Sequence, residues 1–187
     1  MRIRPPALAL LAVVCSAAAT ISAGAQVVQR RPVTPIARPR IAPPVACSIT
    51  LSGAESGSVT GCTAAAASSG GRTSLSVAAG QLPAGVATIA VAVQRPGAQP
   101  TLGTWTSADG GTAGTVTVES NSHAVWTATH GTGQPAQGSF ALTLTSVAQG
   151  TTAASSTLWT VHGSLTATLP PVAGSNAAGD VMVTIRF

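Results

Sequence analysis

The chain contains no lysine and no tyrosine, and charged residues make up only 7% of its 187 positions. Its carboxylates are Glu55, Asp109, Glu119 and Asp180, and its imidazoles beyond the first segment are His123, His130 and His162. Enzymes of ordinary type gather several such groups in one cleft, so this scarcity points away from catalysis. The motifs agree. GAESG around Ser56 lacks the order of a nucleophile elbow, and HGTG at 130–133 places a histidine beside glycines without a serine and an acid. Asp109-Gly110-Gly111 reads as a turn, since a calcium loop needs several more oxygen ligands. Glu119 and His123 flank a turn and read as a hairpin-base pair, and nothing in the spacing brings His130 back to complete a metal site. No cofactor and no metal are expected.

Aromatic residues are equally scarce, at 3%, comprising Phe140, Phe187, Trp105, Trp126 and Trp159. Nucleic-acid binding calls for a basic face interleaved with stacking rings, and that face cannot be assembled here. No amphipathic helical pattern follows Val45, which also removes the glycine loop before a helix that cradles phosphate. The apolar run from Ala7 to Ala19 is too short to span a bilayer.

What is present at the N-terminus is the layout of a secretory signal: Arg2 and Arg4, the apolar run, then Ala23-Gly24-Ala25 before Gln26. Cleavage after Ala25 is expected, giving a signal peptide over 1–25. Lipoprotein processing at Cys15 is the disfavoured alternative, because Val14 replaces the small residue that precedes an acylated cysteine. The mature chain then keeps Cys47 and Cys62. An even cysteine count in an exported chain reads as one disulfide, which closes a loop of about 15 residues. Localisation is expected to be periplasmic or secreted, and the lysine-free, alanine-rich composition fits a bacterial gene of high GC content.

Residues 26–44 carry Pro32, Pro35, Pro39, Pro43 and Pro44 together with Arg30, Arg31, Arg38 and Arg40. Such proline density forbids helix and favours a stiff, extended, disordered linker. The remaining arginines, Arg72, Arg95 and Arg186, nearly balance the four acids, so the basic character belongs to the leader and linker rather than to the domain over 45–187.

That domain reads as all-β. Short segments of Val, Ile, Leu and Thr alternate with Gly, Ser, Pro and Asn punctuation, and the clearest segments have period two. Ile89, Val91 and Val93 share one face; so do Phe140, Leu142 and Leu144; so do Val181, Val183, Ile185 and Phe187. Strands are expected over 47–52, 58–62, 73–78, 86–94, 102–106 and 138–146. Thr115–Glu119 and His123–Thr129 form a hairpin about Ser120-Asn121-Ser122, with Val116 and Val118 turned to the core. A second pair, 158–169 and 180–187, meets at Pro170-Pro171, with Gly163 marking a bulge. About ten short strands suit an antiparallel β-sandwich, immunoglobulin-like or jelly-roll-like.

The terminal VMVTIRF resembles the closing strand of an outer-membrane barrel, and a small barrel is the alternative architecture. Five aromatic rings cannot furnish two interfacial girdles, however, so the strand reads as the last core strand of a sandwich. No integral membrane segment is expected after signal cleavage. The expected role is a non-catalytic binding or structural module of the cell envelope, with an envelope protein or a polysaccharide as partner. Trp105, beside a turn, is the candidate ring for stacking on a sugar. Nearly uncharged strands also lack the gatekeepers that protect sheet edges, which predicts self-association through an edge strand.

Overall fold

The computed structural model describes residues 46–131, 133 and 135–187. The expected signal peptide over 1–25, Cys15 and the expected linker over 26–44 lie outside them. Eleven strands follow in order: β1 Ser48–Gly53, β2 Gly57–Thr60, β3 Cys62–Ser69, β4 Arg72–Ala79, β5 Val86–Pro96, β6 Gly103–Thr106, β7 Ala113–Ser120, β8 Val125–His130, β9 Ser139–Ala153, β10 Ser156–Leu169 and β11 Val181–Arg186. All named pairings are antiparallel. No helix of the described residues is long and apolar enough to cross a membrane.

The architecture turns on β10. Along one edge it pairs with β9. Along the other it pairs first with β3, through Ser156–Trp159, and then with β11, through Ser164–Leu169. One layer therefore runs β6-β9-β10-β11-β1-β2 and the other runs from β10 through β3-β4-β5-β7-β8. The expected all-β, sandwich-like arrangement is present, with its two layers joined through β10 into one hydrogen-bonded sheet. The chain leaving β10 ties the layers at their far side. Thr127 N–H donates to Pro170 C=O at 3.1 Å, and Val172 N–H donates to Val125 C=O at 2.8 Å.

Period two decides which side chains fill the space between layers. Ile49, Leu51, Leu75, Val91, Val93, Val116, Val118, Leu142, Leu144, Leu165, Val181, Val183 and Ile185 are all buried, while their polar neighbours face outward. Phe187 closes this core. Its ring is buried, and its backbone exchanges hydrogen bonds with Gly163 at 2.7 and 3.0 Å. The register shift expected at Gly163 lies between His162 and Gly163 in the β9–β10 pair. Cys47 and Cys62 are bridged, with Cα atoms 5.0 Å apart, and pin the start of β1 to the start of β3.

The sequence reading missed β3 as a separate strand, because Thr63-Ala64-Ala65-Ala66-Ala67 has weak strand propensity. Its neighbours explain it. Ala66 lies opposite Leu75 on one side and Trp159 on the other, so small side chains are what the bulky partners leave room for. β9 also runs beyond the expected end at Ser146 to Ala153, forming with β10 a long hairpin whose tip carries mostly exposed residues.

Candidate functional site

Trp105 is 1% exposed and Trp126 is 2% exposed. The expectation that Trp105 offers an open stacking face is therefore corrected: β6 alternates, and Trp105 takes the inward position between Thr104 and Thr106. Its indole N–H donates to Thr101 C=O at 3.1 Å, and the Arg95 guanidinium lies 5.8 Å from its ring centroid, a cation–π arrangement. Trp126 donates to Gly179 C=O at 2.9 Å. Trp159 is the half-buried one, donating to Ser68 Oγ at 2.8 Å. Each ring serves packing first.

Glu119 and His123 meet across the β7–β8 turn, with Oε1 and Nδ1 3.3 Å apart, at an exposed position. Nothing else gathers there; among the described residues no three His, Cys, Asp or Glu side chains form a group able to hold a metal. The pair is the hairpin-base contact that the spacing implied.

The surface that does gather like groups is the outer face of β6, β9, β10, β11 and β1. Because antiparallel register holds across all five strands, alternate residues line up in rows. One row reads Thr106, Ala141, Thr166, Thr184, Thr50. A second reads Thr104, Thr143, Ser164, Arg186, Ser48, and a third reads Ser139, Thr168, Met182, Ser52. Arg186 is the one arginine or acid in these five strands, so the face is polar through hydroxyls rather than charge.

This face carries two open depressions. A groove of about 400 Å³ runs over Ser139, Thr166, Thr168, Met182 and Thr184. It adjoins a second depression of about 340 Å³ lined by Ser48, Thr50, Thr184 and Arg186, so Thr184 belongs to both. Met182 is 55% exposed and supplies the apolar patch in the middle of the third row. Ser107 and Ala108, just past β6, form the wall of the first groove.

The wall is held by local hydrogen bonds. Ser107 N–H donates to Phe140 C=O at 2.9 Å, and Phe140 N–H donates to Ser107 Oγ at 3.2 Å. Asp109 Oδ2 accepts from Thr106 N–H at 2.8 Å. That backbone hydrogen bond, a side-chain hydrogen bond with Thr106 and the nearby Arg95 charge hold the Asp109 carboxyl below the usual aspartate range.

Sequence reasoning did not single out Thr166, Thr168, Met182 or Thr184. The signal was nonetheless in view as hydroxyls at alternate positions, in Ser48-Ile-Thr50-Leu-Ser52, Thr104-Trp-Thr106, Thr143-Leu-Thr145 and Ser164-Leu-Thr166-Ala-Thr168. Their apolar members define the core, and only strand order shows that the polar members lie side by side. No family model, curated protein or solved structure matches this chain.

Proposed function

We propose that this protein is an exported, non-catalytic module of the bacterial cell envelope that binds a polymer or an envelope protein through the hydroxyl-rich face of β6, β9, β10, β11 and β1. The observation that carries this reading is the pair of adjoining grooves on a face whose strands hold a single arginine and no acid. Concave surfaces with a few ordered polar groups are where ligands bind. The Cys47–Cys62 bridge suits an oxidising compartment. The distribution of side chains supports a water-facing module over the barrel alternative. Apolar residues face the interior and hydroxyls face outward, whereas a lipid-facing barrel needs the opposite.

Two measurements test the reading. Osmotic-shock fractionation followed by intact mass is expected to find a soluble chain beginning at Gln26; a lipid on Cys15, or a chain released only by detergent, would overturn the export scheme. Purified domain should co-sediment with isolated envelope material, and Thr184→Lys, placed where the two grooves meet, should abolish this. Equal sedimentation of the variant would remove the face from the proposal.

A second contact mode is favoured by β9. Among the described residues, β6 pairs only with its first half, Ala141–Leu144, so no strand pairs with the outer edge from Thr145 to Ala153. That stretch is uncharged, and an open, uncharged edge is a template for strand addition. The partner we assign to it is a second copy of the chain.

A further inference from the structure

We infer that the ligand of the hydroxyl face is a neutral polysaccharide in extended form, lying across the strands along the row that runs from Thr106 to Thr50. The inference rests on the proposed binding role of this face and names the class of its ligand.

The first argument is charge. The five strands carry Arg186 and no carboxylate, and Arg186 lines the second depression but not the first groove. A polyanion would require several cations along its track, because each opposite charge left unpaired on binding costs desolvation. A neutral polyhydroxylated chain requires only groups that both donate and accept hydrogen bonds. Ser and Thr hydroxyls do both, with a rotor that adapts to the partner. Thr104 and Thr143 already bond to each other at 3.0 Å. Among the described residues, no protein group bonds the hydroxyls of Thr50, Thr166, Thr168 or Thr184.

The second argument is spacing. Neighbouring strands lie about 4.8 Å apart, so the four steps from β6 to β1 extend over about 19 Å. One step is close to the length of one pyranose ring in an extended glycan, and successive rings can therefore meet successive strands. Rotation about glycosidic bonds lets such a chain follow the twist of the sheet. The third argument is the groove itself. The hydroxyls of Ser139, Thr166, Thr168 and Thr184 line it together with apolar groups, among them Ala141 and the exposed Met182. The flexible thioether chain offers the apolar contact that a sugar ring's carbon face needs, the part that Trp105 cannot play while buried.

The opposite layer is the internal comparison. Its outward rows carry more alanine: Ser76 lies between Ala65 and Ala92, and Ala90 lies opposite Thr117, whereas the row from Thr106 to Thr50 has the single alanine Ala141. One depression there is bordered by Arg72 and Gln94, and another by Thr127, Thr129 and Gln137. A binder of neutral chains is expected to use the first layer and leave this one idle.

The test is titration of the domain with cello-oligosaccharides from the disaccharide to the hexasaccharide, read by calorimetry and by the Met182 methyl resonance. Affinity should rise with each added ring until the chain spans the five strands, and the methyl signal should shift. Thr166→Lys should weaken hexasaccharide binding about tenfold, and Ala90→Lys on the opposite layer should not, both variants melting as the parent does. Loss in both variants alike would overturn the inference. So would a flat response to chain length. If the oligosaccharides fail while alginate or a peptide from an envelope digest moves the Met182 signal, the ligand class is wrong and the binding face stands. If none of these probes moves it, both fall.

Discussion

Gly163 occupies a point where the backbone leaves no room. A Cβ there would run into the Thr143 carbonyl oxygen, at the bulge where β10 also exchanges hydrogen bonds with Phe187. Gly163→Ala is therefore expected to lower stability by about 1–3 kcal/mol in urea denaturation, as overpacking does; an unchanged midpoint would show that the bulge relaxes freely. Thr112 presents the reverse situation, with a buried hydroxyl that has no hydrogen-bond partner among the described residues. Thr112→Val keeps the shape and removes the unpaired group, so stability should hold or rise by about 1 kcal/mol. Asp109 adds a pH dependence. Its folded pKa lies below its unfolded value, so its contribution is complete above the unfolded pKa and fades as pH falls through the folded one. Thermal melts should show an acid limb below about pH 4 that Asp109→Asn flattens. An identical limb in the variant would assign the effect to another carboxylate.

Strand β11 shows how one element can be read correctly from its own residues. Val181, Val183, Ile185 and Phe187 alternate with Met182, Thr184 and Arg186, and the former are buried as their period requires. Deleting Phe187 should cost about 3 kcal/mol of stability in equilibrium unfolding. Retained stability would mean that the ring is dispensable to the core. The disulfide acts between elements. Replacing Cys47 and Cys62 together by serine frees a loop spanning 15 residues and should cost about 3 kcal/mol in equilibrium unfolding. For β9, size-exclusion chromatography over a concentration series should show reversible association, and Ala148→Lys, exposed on the open stretch, should abolish it. A parent protein that stays monomeric throughout would reject the edge contact.

Across the whole molecule, the domain is built from very few charges and a core of aliphatic side chains joined by Trp105, Trp126, Phe140 and Phe187. Neighbouring strands supply the threonines of the hydroxyl-rich face and the valines and leucines of the core from the same alternating segments. Much of this was legible beforehand. The β7–β8 hairpin, the inward Val116 and Val118, the Gly163 bulge and the Cys47–Cys62 bridge all follow from spacing. Less legible was β3, whose alanines are strand residues only because Leu75 and Trp159 face them. Proximity to a turn makes Trp105 a candidate for an exposed ring, but its position in β6 points it inward.

Period-two alternation needs only local sterics and the removal of apolar surface from water, and so the class of the fold and the membership of its core are written into the chain residue by residue. Which strands become neighbours depends on contacts between segments distant in sequence, and here β10 draws β3, β9 and β11 together from three parts of the chain. The row of Thr106, Thr166, Thr184 and Thr50 exists only through those pairings. Its members are separated by tens of residues along the chain, yet neighbouring strands in the sheet lie about 5 Å apart, and the hydroxyl groove is a property of that proximity.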